Sequence, residues 1–382
     1  MHQSNSHLET AFRATLTPDV AVLGGGLSGR LIAWRLARTG HYVALYDQGE
    51  PSGYCGAAWV AAAMLAPLAE AISAERFLVE LGAVSLERWA EWLPQLPQPV
   101  FFQRNGTLIV WHAPDRAEWL LFERHVRVNV PITMQRDGIV SLHGAQVTQA
   151  EPALGTRFRE ARLLVGEGQL DNRQLLLALA NALDELHVKT HWHTHVREDN
   201  MPTAGLLIDC RGLGAKCAWS SLRGLRGEVA RVHAPGIGLR RPVRLLHPRY
   251  PLYIAPKQND HYVIGATEIE GEDMSPMSVR SALELLSAAY SIHPAFSEGR
   301  ILELNTHCRP TLPDHRPILL WDGASMLRVN GLYRHGYMIA PEIVRETVAI
   351  AGALLNTQVK DLDDFNTWRT ASRWPMLYRM AS

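Results

Sequence analysis

The cluster Gly24-Gly25-Gly26-Leu27-Ser28-Gly29 is the densest chemical signal in the chain, and its spacing fits GxGxxG. The chemistry it offers belongs to the backbone. Gly24 permits a tight turn, Gly26 lets the main chain approach a pyrophosphate, and Gly29 lets a helix pack closely on a strand. Leu27 and Ser28 then stand in the first turn of that helix, whose free N–H groups point at the phosphates. Asp47 follows at the end of the next strand, where a carboxylate accepts hydrogen bonds from ribose hydroxyls. An acid at this place disfavours a ribose phosphate, hence NADP, and leaves NAD and FAD both open. The competing reading is a glycine-rich turn of no function. The strand before, the helix after and the terminal acid weigh against it.

Two other sets of residues could do chemistry. His191, His193 and His195 alternate, so on a strand they would share one face. No carboxylate or cysteine completes a metal set beside them, and a solvated or ligand-adjacent face is expected, with no metal. The four cysteines (Cys55, Cys210, Cys217, Cys308) are scattered and show no CxxC spacing. That pattern, with no apolar signal core in the first residues, reads as a reduced cytoplasmic protein.

Positioning these groups requires a βαβ opening. Residues 1–17 read as a flexible leader. Asp19–Leu23 reads as a buried strand, Leu27–Arg38 as a helix stopped by Gly40, and His41–Asp47 as a second strand. Further helices are expected over Glu80–Leu93, Arg116–Val128, Asn172–Leu186 with Asp171 as N-cap, Ser278–Tyr290 and Pro341–Leu355. Strands are expected at Thr107–Trp111, Val188–Val196, Gly205–Asp209, Glu228–His233, Leu252–Pro256 and His261–Gly265. Strands and helices alternate at both ends while the middle is strand-rich. The expected fold is α/β with an α+β second domain: a Rossmann-like dinucleotide-binding domain carrying an inserted antiparallel-sheet substrate domain. The dinucleotide domain would take 18–88, 150–225 and 305–375, and the substrate domain 89–149 and 226–304.

Composition narrows the function classes. The chain has 382 residues, 47% apolar and 20% charged, with 38 acidic and 38 basic side chains. Nothing in that balance, or in any run of like charge, points to nucleic acid or an anionic membrane. The most apolar stretch, Ala57–Ala69, is too short to span a bilayer. A homo-oligomer is compatible with all of this.

Three segments bring in a family. Gly56-Ala-Ala-Trp-Val-Ala-Ala62-Ala63-Met64-Leu-Ala-Pro67 resembles the small-residue stretch that passes the flavin in the FAD-dependent D-amino-acid oxidase superfamily, and most of all in its glycine oxidases. There a serine commonly stands at the place of Ala58 and a glycine at that of Ala63. Cys308-Arg309-Pro-Thr-Leu-Pro-Asp314-His-Arg-Pro317 resembles the family's RPxTPDxxP segment. Gly331-Leu-Tyr-Arg334-His335-Gly336-Tyr337-Met338-Ile-Ala-Pro341 resembles its closing GHxxxGxxxAP loop. Weaker likenesses are Tyr253-Ile-Ala-Pro-Lys257 with Val263–Glu268, Val196, and Cys210-Arg211-Gly212 in place of the second flavin motif. The arginine within that motif is unusual. The likeness runs from about Asp19 to Leu355.

The resemblance implies FAD as cofactor and a small amino acid and O2 as partners. Arg309, which alone would read as a surface or ion-pair residue, would fork onto the substrate carboxylate. Tyr253, otherwise a core or interface tyrosine, would join it with Arg334 and Met64 at the reacting centre. Ala62, Ala63, Met64, Gly212, Arg309, Arg334, His335, Gly336, Tyr337 and Met338 would touch the flavin, and the Val196 backbone the adenine. Pro341 would fall in the first turn of the last long helix, whose positive end would face the flavin's pyrimidine edge. The implied reaction is hydride transfer from Cα to flavin N5, giving an imino and then an oxo acid, with H2O2 from O2. Alternatives are oxidation of sarcosine, proline or a D-amino acid, a tRNA-modifying flavoprotein, or a flavin-bearing accessory protein. The tRNA reading calls for a basic surface and usually a fused methyltransferase, and the chain shows neither.

Overall fold

The four residues Val20–Leu23 have no solvent exposure at all, as expected of a central parallel strand covered on both faces. In the computed structural model, which describes residues 17–54 and 56–380, this strand lies between Val43–Tyr46 and Leu206–Asp209, parallel to both. Apart from Thr17, the expected leader lies outside the described residues. Lys189–His191 adds to one side, and Met326–Asn330, Ile318–Trp321 and Tyr378–Met380 add to the other. The only antiparallel pairing in this seven-stranded sheet joins Ile318–Trp321 to Met326–Asn330. The Leu27–Arg38 helix packs between the helices Asn172–Glu185 and Gly336–Leu355. Asp171 caps the first of these, accepting from the backbone N–H groups of Arg173 and Gln174 at 2.9 Å each, a contact worth about 1 kcal/mol.

A second sheet of nine strands runs from Ile269–Glu270 through Arg223–His233, His261–Gly265, Leu252–Pro256, Val243–Leu246, Thr107–Trp111 and Glu160–Leu164 to Ile139–His143. Arg300–Thr311 pairs with the other flank of Arg223–His233. All pairings are antiparallel except Val243–Leu246 with Thr107–Trp111. Glu160–Leu164 sits in this sheet, although the expected boundaries group it with the dinucleotide-binding segments. One face buries Leu108, Val110, Ala230, Ile254 and Ile264 against Leu285, Ala289 and Ile292 of the Val279–Ile292 helix. A small antiparallel sheet of Met64–Leu65, Gly168–Leu170 and Phe102–Gln103 joins the two halves. No helix of the described residues is long and apolar enough to cross a membrane.

Two expected elements are corrected. The strand over Val188–Val196 stops at His191. His193 takes φ 55° and donates its N–H to the Gly49 carbonyl, and Thr194 donates to that of Asp47. The chain thus turns over the end of the second strand, and His191 instead stacks on Tyr46 at 4.4 Å. The three histidines do not share a strand face.

The last long helix begins at Gly336, so Pro341 lies inside it and not in its first turn. Proline has no N–H to give the Tyr337 carbonyl. That carbonyl accepts from Trp89 Nε1 at 2.8 Å instead. Ser85 Oγ completes the repair, accepting from the Glu342 N–H and donating to the Ile339 carbonyl, both at 3.2 Å. The Arg76–Trp92 helix therefore carries the polar groups that let a proline stay in the helical interior.

Candidate active site

A cavity of about 700 Å³ runs from the glycine turn, between the two large sheets, to the strands that carry Tyr253 and Arg309. It lies in the upper part of the ~300–1,000 Å³ range of ligand cavities. At its first end Gly24 has φ +98°, and a Cβ there would fall 2.6 Å from the Cys210 carbonyl oxygen. Gly29 packs directly under Gly24, where no side chain fits. A Cβ on Gly26 would meet nothing within 4 Å, so that face of the turn opens into the cavity. Asp47 holds the turn with both oxygens, Oδ2 accepting from the Gly25 N–H at 2.5 Å and Oδ1 from the Gly49 N–H at 2.7 Å. Beneath them Arg30, wholly buried, donates to the Gly25, Pro51 and Leu176 carbonyls at 2.6–2.7 Å. Burial lowers its pKa to about 10, still charged at neutral pH.

Midway, the small-residue segment passes along the cavity wall with Ala62, Ala63 and Met64 facing it. Ala63 takes φ 53°, a left-handed conformation that costs a residue with a Cβ about 1–2 kcal/mol. A glycine at this position would be free of that cost. The segment is gripped from behind by Lys257, whose buried ammonium donates to the Ala62 carbonyl at 2.8 Å, the Leu170 carbonyl at 2.7 Å and Gln169 Oε1 at 3.1 Å. Burial brings the pKa of Lys257 down to about 7. Tyr337 donates its hydroxyl to the Ala58 carbonyl at 2.9 Å, tying the final helix to the same segment. Gly212, at φ 56°, holds Asn330 through its carbonyl at 3.0 Å.

At the far end Arg309 projects from Arg300–Thr311 across Gly227 of the neighbouring strand. Any Cβ on Gly227 would fall on the guanidinium itself, so the absence of a side chain there is what gives Arg309 its course. Arg309 donates to the carbonyls of Arg226 at 3.3 Å and Thr267 at 3.2 Å. Among the described residues no carboxylate stands within ion-pair distance of it. Burial lowers its pKa without discharging it. Tyr253 faces the same space, and burial raises its phenol pKa.

Arg334 is differently placed. Its Nε lies 2.8 Å from Glu70 Oε2 and its Nη1 2.7 Å from Glu268 Oε2. Glu70 also pairs with Arg244 at 3.0 Å. Burial works against its charge, but Arg334, Arg244 and His335 prevail and hold its pKa at about 2. His335 is buried with neither ring nitrogen hydrogen-bonded among the described residues. Burial lowers its pKa to about 4, so it is neutral at physiological pH.

The structure therefore brings Gly24, Gly26, Leu27, Ser28, Asp47, Ala62, Ala63, Met64, Gly212, Tyr253, Arg309, Arg334, His335, Gly336, Tyr337 and Met338 to one cavity. Gly29 packs beneath it. Val196 is buried outside its lining, and its carbonyl accepts from Arg211 at 2.9 Å. Arg211, unexplained in the sequence, pairs with Asp209 at 2.8 Å and Glu198 at 2.7 Å and so fastens the loop after His191 to the Leu206–Asp209 strand. Arg30, Glu70, Gly227 and Arg244 carry no role in the reading of the sequence alone, and Lys257 and Glu268 figure there only as ends of the two segments that carry a family likeness. For Arg30 and Glu70 a signal existed, namely a charge set among apolar neighbours.

Both ends of the cavity make sense together if one extended molecule lies along it, with its phosphates on the glycine turn and its redox ring near Arg309. The open face of Gly26 and the carboxylate after the second strand both fit such a group. This is the layout of a flavin-dependent oxidoreductase. The chain belongs to the FAD dependent oxidoreductase family (DAO), whose pattern matches residues 19–350, and its cofactor is FAD. It is 37% identical over 339 residues to a putative thiamine biosynthesis oxidoreductase ThiO of Rhizobium etli, covering 89% of this chain and 97% of that one. Its fold is similar to the crystal structure of glycine oxidase from Geobacillus kaustophilus, with TM-score 0.74, 23% identity and coverage of 89% and 95%. It is also similar to that of iminodiacetate oxidase from a Chelativorans species, with TM-score 0.73, 22% identity and coverage of 87% and 95%.

Proposed function

We propose that this enzyme oxidatively deaminates a small amino acid, glycine or a close relative, with O2 as acceptor. Amino acid, O2 and water would give oxo acid, ammonia and H2O2. The observation that supports this best is Arg309: a charged guanidinium at the flavin end of the cavity, oriented by two carbonyls and with its charge unmatched by a protein carboxylate. A substrate carboxylate is the natural partner for such a fork. Tyr253, kept protonated by its raised pKa, donates a further hydrogen bond there. FAD held along this cavity would supply the redox chemistry, as the hydride acceptor for the substrate Cα.

The protein's own part is position and charge. Gly336, Tyr337 and Met338 present the positive end of the last helix to the cavity, where it would favour negative charge on a bound ring. Ala62 to Met64, with their small or flexible side chains, leave room for the ring, and Lys257 keeps them there. Arg334 is held by two carboxylates and acts as a positioning residue for Glu70 and Glu268. Likeness to the R. etli protein supports a place in thiamine biosynthesis. The test is a visible spectrum of the purified protein, followed by anaerobic addition of glycine, sarcosine and D-alanine. Bleaching of the flavin band by one of them is expected. A yellow protein that none of them bleaches would refute the small-amino-acid reading while leaving the flavoprotein intact.

A further inference from the structure

The charges around the far end of the cavity do not balance, and where the surplus sits has a consequence for substrate choice. Three arginines (Arg244, Arg309, Arg334) stand against two carboxylates, Glu70 and Glu268. The charge of Arg334 is matched, since Glu70 takes its Nε at 2.8 Å and Glu268 takes its Nη1 at 2.7 Å. Arg244 is engaged by Glu70 and by the Ala69 carbonyl at 2.8 Å. Of the three, only Arg309 has no carboxylate within ion-pair distance among the described residues.

We propose that Glu268 is a specificity-determining residue which, by cancelling Arg334, restricts the pocket to substrates bearing one carboxylate. The inference rests on the amino-acid-oxidising reading above. The two carboxylates on Arg334 differ in a way that singles out Glu268. Glu70 has a side chain only 15% exposed and is shared with Arg244, so it is structurally committed. Glu268 has a side chain 45% exposed, lines the cavity, and among the described residues pairs with Arg334 alone, with the neutral Tyr333 hydroxyl as its other partner. It can be neutralised without stranding a second buried arginine. Arg334 and Arg309 act on each other electrostatically across the same space as Tyr253 and Tyr333. A monocarboxylic amino acid seated on Arg309 needs no second cation. A dicarboxylic amine such as iminodiacetate would bring its other carboxylate toward Arg334 and meet Glu268 there, with the arginine's charge already matched and a like charge to desolvate. With Glu268 neutral, Glu70 remains shared between Arg334 and Arg244, and the pocket gains a second uncompensated positive charge beside the first.

The experiment uses the flavin-loaded enzyme, with acetate and malonate as non-reacting probes whose binding is read from the perturbed flavin absorption band. In the wild type, malonate is expected to bind no more tightly than acetate. In Glu268→Gln the ratio of malonate to acetate affinity should rise on the order of tenfold or more, the scale of one unscreened charge at such range. Iminodiacetate should gain as a reductant relative to glycine. Glu268→Asp, which keeps the charge, should keep the wild-type ratio. The wild-type measurement stands without any variant, so malonate binding there tenfold tighter than acetate overturns the inference. So does an unchanged ratio in a flavin-loaded Glu268→Gln enzyme that still binds acetate, and the amino-acid reading survives that result. Failure of both anions to bind either form removes the carboxylate reading and this inference with it.

Discussion

Replacing Gly227 by alanine adds one methyl group, and the structure says where it lands. Gly227 lies in Arg223–His233 opposite His307, with an ordinary extended backbone that any residue adopts. Its Cβ would fall on the Arg309 guanidinium, whose Nη2, Cζ and Nη1 are its three nearest atoms at 2.2–2.3 Å. The clash is with the far end of a flexible side chain, so the arginine yields and the strand stays. We expect unfolding midpoints within about 0.5 kcal/mol of wild type, since alanine also narrows the unfolded ensemble slightly. The effect on ligands is much larger. A displaced Arg309 forfeits two charge-assisted hydrogen bonds to a carboxylate, each about 1.5 kcal/mol. Together these come to about 3 kcal/mol, or roughly a hundredfold in dissociation constant. The assay is anaerobic flavin bleaching by the preferred amino acid, with acetate as a dead-end probe and urea unfolding as the control for fold. Arg309→Met should weaken binding by a similar factor, and the two changes should not add, because both remove the same fork. A Gly227→Ala enzyme with wild-type affinity would refute the reasoning, and so would a double variant in which the penalties sum.

Two further outcomes concern the segment along the cavity wall. Ala63→Gly should raise stability by about 1 kcal/mol in urea unfolding, because it relieves a left-handed alanine at φ 53°; an unchanged or lower midpoint would mean the strain is not there. Lys257 carries a pKa of about 7 in the folded protein against 10.5 ordinarily. Between those values the unfolded chain holds a proton that the folded one has released, so stability should climb as pH rises from about 7 toward 10. Lys257→Met should flatten that climb, seen as urea midpoints compared at pH 7 and pH 9.5; equal slopes in both proteins would contradict the depressed pKa.

Much of the frame was legible because its causes are local. The glycine turn, the Leu27–Arg38 helix and the strands Thr107–Trp111, Leu252–Pro256 and His261–Gly265 stand where pattern and turn residues put them. Where a distant partner satisfies the backbone, pattern alone failed. Pro341 reads as a helix start unless Trp89 and Ser85, from a helix far back in the chain, are known to mend the interior. The alternation at His191–His195 reads as a strand unless the Asp47 and Gly49 carbonyls are known to fold the chain over. The charge network was hidden for the same reason. Glu70 and Arg334 lie 264 positions apart, and Glu70 and Arg244 lie 174 apart. Motif likeness places Arg309 and Arg334 at the site as two similar arginines. Only the tertiary fold shows that one is free to take a carboxylate and the other already has two. What distinguishes them is not in either residue's neighbours along the chain but in a glycine on the adjacent strand and a glutamate at the cavity mouth. On the proposal above, binding selectivity would reside in pairings that no local reading of the motifs contains.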